Sequence, residues 1–356
     1  MGTTTPEETS VPLQSADYLR DLTTRIFVKA GWSEQDSRET AEHLVLANLM
    51  GHDSHGVGMV PLYINHWVSG HLKPSSKPTT RIETAPFLVI DGNVALGQPT
   101  ANAAIRRACA MAKGHGVTIL NLLNAHHIGR IGHYAEMAAA EGLVSMFWVN
   151  VAGRPPIVAP FGARDARFGT NPHTIGVPDG DKPLILDFAT SRMAHGKARV
   201  ALNKGVPVPE GYLIDHEGRP TTDPRAVFDE PLGALMSFGD HKGAGIAAMV
   251  EILSAGLGGG ATMPDTAIRE NVLNSMFGII LDPSRLDPDE KARAGRINRI
   301  AAFQRAARPQ PGVDLVRAPG DMEREVKAQR MRDGIPVDDG TWKLMVETAG
   351  KVGVKV

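Results

Sequence analysis

The sequence predicts an α/β (α+β) protein whose two ends are helical, and three observations carry that prediction. From about residue 85, short β-rich runs alternate with helical stretches. Before that point, apolar residues recur at helical spacing. From about Asp287 the chain returns to charged helix, broken by Pro309, Pro311, Pro319 and Pro336.

Taken in order, Met1 to Pro12 is polar and rich in Thr, Glu and Pro. It lacks the apolar stretch of a signal peptide and reads as a loose arm. Ser15 can cap a helix that runs to about Ala30 and stops at Gly31. Ser33 with Asp36 three residues on resembles a capping box, and Ala41, Leu44, Ala47 and Leu49 continue a helix up to Gly51. The runs Phe87–Ile90, Val117–Leu123, Leu143–Val149 and Leu184–Phe188 read as strands, with Thr100–Lys113 and Ile131–Glu141 as helices. Val151 to Pro183, dense in Gly, Pro, Arg and Asp, reads as a long connection of the kind that carries function. A helix from about Lys242 to Ala255 ends in Gly256-Leu-Gly-Gly-Gly, and Met276–Leu281 is a further strand. The tail is expected to pack back on the N-terminal helices. That gives a helical domain of residues 1–78 and 286–356 and an α/β domain of residues 79–285.

Composition excludes several classes. The 356 residues are 42% hydrophobic and 22% charged, as in an ordinary globular protein. A formal net charge of −1 leaves no basic excess to replace phosphate counterions, which removes the electrostatic case for nucleic acid. No run approaches the roughly 18 apolar residues that would span a membrane. Cys109 is the only cysteine, so disulfides and thiolate metal centres are excluded and the expected compartment is cytoplasmic.

Common cofactor signatures are absent too. The only GxGxxG-like string, Gly256-Leu-Gly-Gly-Gly-Ala261, follows a helix rather than a strand and reads as a helix C-cap and turn. Gly196-Lys197 lacks the earlier glycine of a P-loop, since Ser191 stands there, and neither HExxH nor CxxC occurs. A dinucleotide enzyme built from this chain must work without the Rossmann fingerprint.

Four polar strings remain. Gly51-His-Asp-Ser-His-Gly56 stands where a helix ends. It suits a proton-handling site, a structural loop or, given further ligands, a metal site. Asn124-Ala-His-His127-Ile-Gly129-Arg-Ile-Gly132-His133 lies between a strand and a helix, where open α/β sheets place ligands and a helix start favours an anion. His126 there reads as a hydrogen-bonded core residue and His127 as the functional one. Asp187 ends an apolar strand, where it can orient a histidine or cap the next turn, downstream of Phe161 to Pro172. In Phe238-Gly-Asp-His241-Lys242-Gly243, the two cations work against the helix dipole unless a negative ligand is present, or else are simply solvated.

Together these strings resemble the malate/L-lactate dehydrogenase family of type-2 nicotinamide oxidoreductases over residues 15 to 345. The carriers are Asp53-Ser-His-Gly56, His127-Ile-Gly129, Gly169-Thr-Asn-Pro172, Leu186-Asp-Phe-Ala-Thr-Ser191, Gly205-Val-Pro-Val-Pro-Glu-Gly211 to Thr222-Asp-Pro224, and His241-Lys-Gly243. It is their order along the chain, not any one of them, that is specific. The resemblance implies a non-Rossmann α/β domain carrying most contacts to NAD or NADP, a helical domain from both chain ends, and a homodimer with the active site near the subunit interface. The implied substrate is a small 2-hydroxy or 2-oxo acid.

By the same matching, His127 falls at the family's general acid/base, and Ser54, His55 and Asp187 at a relay that orients and charges a histidine. Which of His127 and His55 gives the proton stays open. His55, Gly129, Arg130, Ile131, Ile185, Leu186, Asp187, Phe188, Ala189, His241 and Asn274 fall where members hold the dinucleotide, as do Gly320, Asp321, Met322 and Glu323. One position departs. Many members carry at Met59 an arginine that holds the substrate carboxylate, so Arg130 or Arg154 becomes the candidate cation. A branch with methionine there is similar to enzymes accepting bulkier, including aromatic, 2-oxo acids, for which a flexible thioether is a suitable floor. Rival readings are malate, lactate or ureidoglycolate oxidation, cyclic-imine carboxylate reduction, and an inactive ligand-binding homologue.

Overall fold

The computed structural model describes residues 13–266 and 271–356. In chain order the elements begin with β1 (Leu13–Gln14), α1 (Ala16–Lys29), α2 (Glu34–Leu49), α3 (Val60–Val68), β2 (Thr79–Thr84), β3 (Phe87–Asp91) and α4 (Gly97–His115). There follow β4 (Val117–His126), α5 (Gly132–Ala140), β5 (Val144–Val149), β6 (His173–Val177), β7 (Leu184–Phe188), α6 (His195–Lys204), β8 (Leu213–Ile214) and β9 (Pro220–Thr221). The remainder is β10 (Ala234–Leu235), α7 (His241–Glu251), β11 (Leu273–Leu281), α8 (Glu290–Arg305), α9 (Asp321–Asp333), β12 (Ile335–Pro336) and α10 (Asp339–Lys351). None of these helices is long and apolar enough to cross a membrane.

The chain divides into two compact units, Met1–Asn65 with Glu323–Val356, and His66–Met322. In the first, the caps read from sequence are formed. Ser15 Oγ accepts from the Tyr18 N–H at 3.2 Å and Ser33 Oγ from the Asp36 N–H at 3.0 Å, each satisfying an otherwise unpaired helix-start donor. Leu19, Leu22, Ile26 and Phe27 on α1 and Leu44 and Val45 on α2 are fully buried, the i, i+3, i+4 stripe that drives the two helices together. The chain ends meet here. β1 pairs antiparallel with β12, Tyr18 packs on Trp342 at 6.1 Å between ring centres, and Arg25 donates to the Lys355 carbonyl at 2.9 Å.

The second unit is built on a seven-stranded sheet of order β2-β3-β4-β11-β5-β6-β7. Only β3 and β4 are parallel, and α4 joins them. The turn into α4, Gly92-Asn-Val-Ala-Leu-Gly97, is not a dinucleotide fingerprint. One face of the sheet is sealed by α4 and α5, with Leu88, Leu120, Leu122, Tyr134, Phe147, Met276 and Ile280 in a continuous core. Cys109 lies in that core on α4, and burial pushes its thiol up to about 12. The opposite face carries a row of aromatic side chains directly opposite one another, Phe277, Trp148, His173 and Phe188, all partly exposed. A smaller sheet, β10-β8-β9, packs with α6 around Val158, Leu213 and Leu235.

Three expectations need adjustment. The unit boundaries fall at 65/66 and 322/323 rather than at 78/79 and 285/286. Residues 66–78 and α8 are tied to the α/β unit through Asn271 Nδ2 to the His71 carbonyl (3.2 Å), Asn298 Nδ2 to Asp179 (2.7 Å) and the two-pronged Arg305–Asp321 pair (2.8 Å each). The supposed long connection Val151–Pro183 contains β6, the strand next to the β7 edge, whose Gly176 leaves room for Ala135; a Cβ there would sit 2.9 Å from the Ala135 Cβ. The helix expected to Ala255 ends at Glu251 and passes into a π-turn, Ile252–Gly256.

Candidate functional site

The second unit concentrates chemistry where β4 ends. His126 is the last strand residue and is fully buried; its Nε2 lies 2.9 Å from Nδ1 of His66, and burial pushes the pKa of both rings down. His127, one residue on, has left the strand and is partly exposed. The turn that carries it is held on both sides of Ile128. The His127 carbonyl packs against Gly97, where a Cβ would come within 2.2 Å of that oxygen. The Ile128 N–H donates to Asn274 Oδ1 at 3.0 Å, and the Ile128 carbonyl accepts from the Tyr134 hydroxyl at 2.5 Å. Gly129 has φ +77°, which side-chain-bearing residues resist.

Behind the turn lies a polar seam. Asn274, buried at the start of β11, spends its amide N–H on the Asn150 carbonyl at 2.8 Å. Asn150 in turn donates to Glu251 Oε1 at 3.1 Å. Glu251, 7% exposed at the end of α7, also accepts from the Met263 N–H (2.7 Å) and from Asn171 (3.0 Å). Asn274 therefore serves the protein's own backbone with both ends of its amide. Asn171 stood in a string that the sequence reading singled out, without a role; sequence reasoning missed Asn150, Glu251, Tyr134 and His66. A carboxylate and amides at the ends of apolar elements were the available signal.

Asp187 sits near the end of edge strand β7. Its Oδ2 accepts from the Gly132 N–H at 2.8 Å and its Oδ1 from Thr174 Oγ1 at 2.7 Å. The anion expected at the start of α5 is thus the protein's own carboxylate, and Asp187 caps that helix. It also lies near His173, whose pKa is pushed down by burial despite the counter-pull of the Phe147 carbonyl and of Asp187. Arg130 is 3% exposed and paired with Glu136 at 2.5 Å, whereas Arg154 is exposed and has no carboxylate partner among the described residues. Of the two candidate cations, Arg154 is the one open to a substrate carboxylate. Its charge is also felt at His66 and His195.

The strand end Ile185–Ala189 gathers the other cofactor candidates. The Ile185 N–H reaches the Pro319 carbonyl at 3.4 Å, beside Gly320 and Asp321. Phe188 meets Phe238 edge to face, 5.4 Å between ring centres, just before α7. At the start of α7, His241 and Lys242 are exposed at the positive end of the helix dipole and no side chain caps it. Gly243 packs so tightly on the Phe238 carbonyl that a Cβ would lie 2.1 Å from it. This donor set, with the bare helix start, fits the anionic part of a dinucleotide. Asp321 is committed to Arg305, and Leu186 and Met322 are exposed.

Ser54, His55 and Met59 belong to the other unit. Ser54 Oγ and His55 Nδ1 are 2.9 Å apart within a short 3-10 turn, Asp53–His55. The turn is pinned by Asn48, which donates to Asp53 at 2.7 Å and accepts from the Val57 N–H at 2.8 Å. It is pinned again by Arg330, two-pronged on Asp53 at 2.6 and 3.0 Å, while His52 lies 3.6 Å from Glu323. Met59 is partly exposed.

The chain belongs to the malate/L-lactate dehydrogenase family, whose model matches residues 14–346. Within it the chain is 41% identical over 344 residues to hydroxycarboxylate dehydrogenase B of Escherichia coli K12, covering 95% of this chain and 94% of that protein. It is 36% identical over 321 residues to an L-lactate dehydrogenase of Cupriavidus necator, covering 89% and 91%. A solved structure from E. coli, named for malate/lactate dehydrogenase, has a TM-score of 0.92 at 40% identity and covers 96% of each chain.

Proposed function

We propose that this protein interconverts a 2-hydroxy acid and a 2-oxo acid with NAD or NADP, and that His127 handles the proton. The observation that carries the reading is the contrast within His126-His127. One ring is buried and spent on His66, and the next is partly exposed on a turn held by Asn274 and Tyr134. When bound, the reduced dinucleotide supplies a hydride to the carbonyl carbon. His127 gives its proton to the carbonyl oxygen, so the 2-oxo acid gains a hydride and a proton and leaves as the alcohol; in the reverse direction the neutral ring takes the hydroxyl proton. Arg154 takes the substrate carboxylate in place of the arginine missing at Met59, and Met59 favours bulkier side chains. Ser54, His55 and Asp187 complete the polar set, and Ile185–Ala189, His241 and Gly320–Glu323 carry the dinucleotide. A homodimer is proposed with this reading, as the resemblance to the family implies. We place the protein in the cytoplasm.

The test is absorbance at 340 nm with NADH and NADPH over a panel of 2-oxo acids, phenylpyruvate and pyruvate included, for wild type and His127→Ala. The variant is expected to lose about 10²–10⁴-fold in kcat while dinucleotide affinity stays within a few-fold. A variant keeping more than about a tenth of turnover, well short of that range, would pass the proton role to His55.

A further inference from the structure

The turn that carries His127 is gripped through one residue, Ile128. Its N–H is held by Asn274 and its carbonyl by Tyr134. The peptide between His127 and Ile128 is thereby fixed at both ends, because its carbonyl lies against Gly97 and its N–H is bonded to Asn274. That peptide sets the ψ angle of His127, and so the direction in which the ring leaves the backbone. Asn274 is itself held by the Asn150 carbonyl, and Asn150 by the buried Glu251 at the end of α7. Asn150 also donates to the Ala261 carbonyl at 3.0 Å and accepts from the Ser275 N–H through Oδ1 at 2.9 Å, so its amide cannot rotate without breaking three bonds. Glu251 accepts from three neutral donors and pairs with no cation among the described residues.

We infer that Asn274 and Tyr134 are positioning residues for His127, clamping the Ile128 peptide, with Asn150 and Glu251 as the anchor. The clamp rests on the reading of His127 as the proton donor. It assigns to Asn274 a role in turnover rather than in holding the dinucleotide, since both ends of its amide are spent on backbone. Catalytic geometry is unforgiving here: a displacement of about 1 Å produced away from the chemistry can cost about 100-fold. A purely structural role would lower the melting temperature and leave kcat and its pH profile alone.

The experiment uses the full chain with the 2-oxo acid that wild type turns over best. It compares Asn274→Ala, Glu251→Gln and Tyr134→Phe by steady-state kinetics, pH profile of kcat and dinucleotide Kd from NADH fluorescence. Tyr134→Phe removes one hydroxyl without changing shape, so it carries the test if the other two fail to fold. Expected are a fall of about 10-fold or more in kcat for Asn274→Ala, within the range that misplacement produces, and a smaller fall for Tyr134→Phe. Both should shift the kcat pH profile, with dinucleotide Kd within about threefold, too small a change for a lost direct contact. Wild-type kcat in folded variants, beside an inactive His127→Ala, overturns the clamp and leaves the proton role standing. Weakened dinucleotide binding with unchanged kcat makes Asn274 a cofactor contact and also overturns it. Full activity of His127→Ala overturns both.

Discussion

His127 and His55 both follow the end of a regular element in a glycine-rich turn, yet different chemistry holds the two turns. The His127 turn is fixed from within the α/β unit by neutral amide and hydroxyl groups that are almost wholly buried, and by a glycine at 97 that lets two backbones touch. The His55 turn is held by one buried amide, Asn48, and in addition from its flank by charge, Arg330 on Asp53. Buried neutral bonds are indifferent to salt, but the buried histidines around them resist taking up a proton. Partly exposed ion pairs are screened by salt and contribute little each. One turn therefore rests on neutral bonds alone, and the other adds to its buried amide an ion pair that salt can weaken.

Acid should expose that difference most strongly. His66, His126 and His133 surround the first turn, and burial holds all three well below the usual histidine range; for His133, to about 3, with Arg130 and Arg106 adding to the effect. In the unfolded chain each takes up a proton near pH 6.5, so between that pH and the folded values the unfolded state binds more protons. Stability is then full above about pH 6.5 and falls on acidification, by up to about 1.4 kcal/mol per pH unit for each histidine. Melting curves from pH 7.5 to 4.5 check this, and a flat Tm would show that these rings are not held neutral. Gly97→Ala comes next. Its Cβ would overlap the carbonyls of both His126 and His127, and a loss of about 3 kcal/mol, the upper end for overpacking, is expected together with loss of turnover. A folded, active Gly97→Ala would mean that the turn is not rigid. The smallest effect belongs to the other turn. Arg330→Ala should cost about 1 kcal/mol at low salt and less in 0.5 M NaCl, since the pair is only partly buried. A penalty unchanged by salt would erase the contrast between the turns.

Much of this was legible in the sequence where the signal is local. Ser15 and Ser33 cap the helices they were read to cap, and the runs from Phe87, Val117, Leu143 and Leu184 are strands. Asp287 onward is helical, but α8 belongs with the α/β unit because Asn298 and Arg305 bind there, which no local pattern encodes. β6 was hidden by the Gly and Pro around it, and β2, exposed along its length, has no buried face to leave a pattern. The burial of His126 was read correctly, and His127 differs because it lies just beyond the end of the strand. The clamp was not legible. Asn274 meets Ile128 across 146 residues, and Asn150 meets Glu251 across 101, separations at which only the folded sheet brings side chains together.

Cys109 has a practical consequence. The only thiol in the chain is shut inside the α4 core and is almost never a thiolate at neutral pH, so alkylating reagents should pass the native protein by. A cysteine introduced at an exposed position such as Leu286 would then be the sole reactive handle, ready to take a fluorophore or spin label without any prior removal of native thiols.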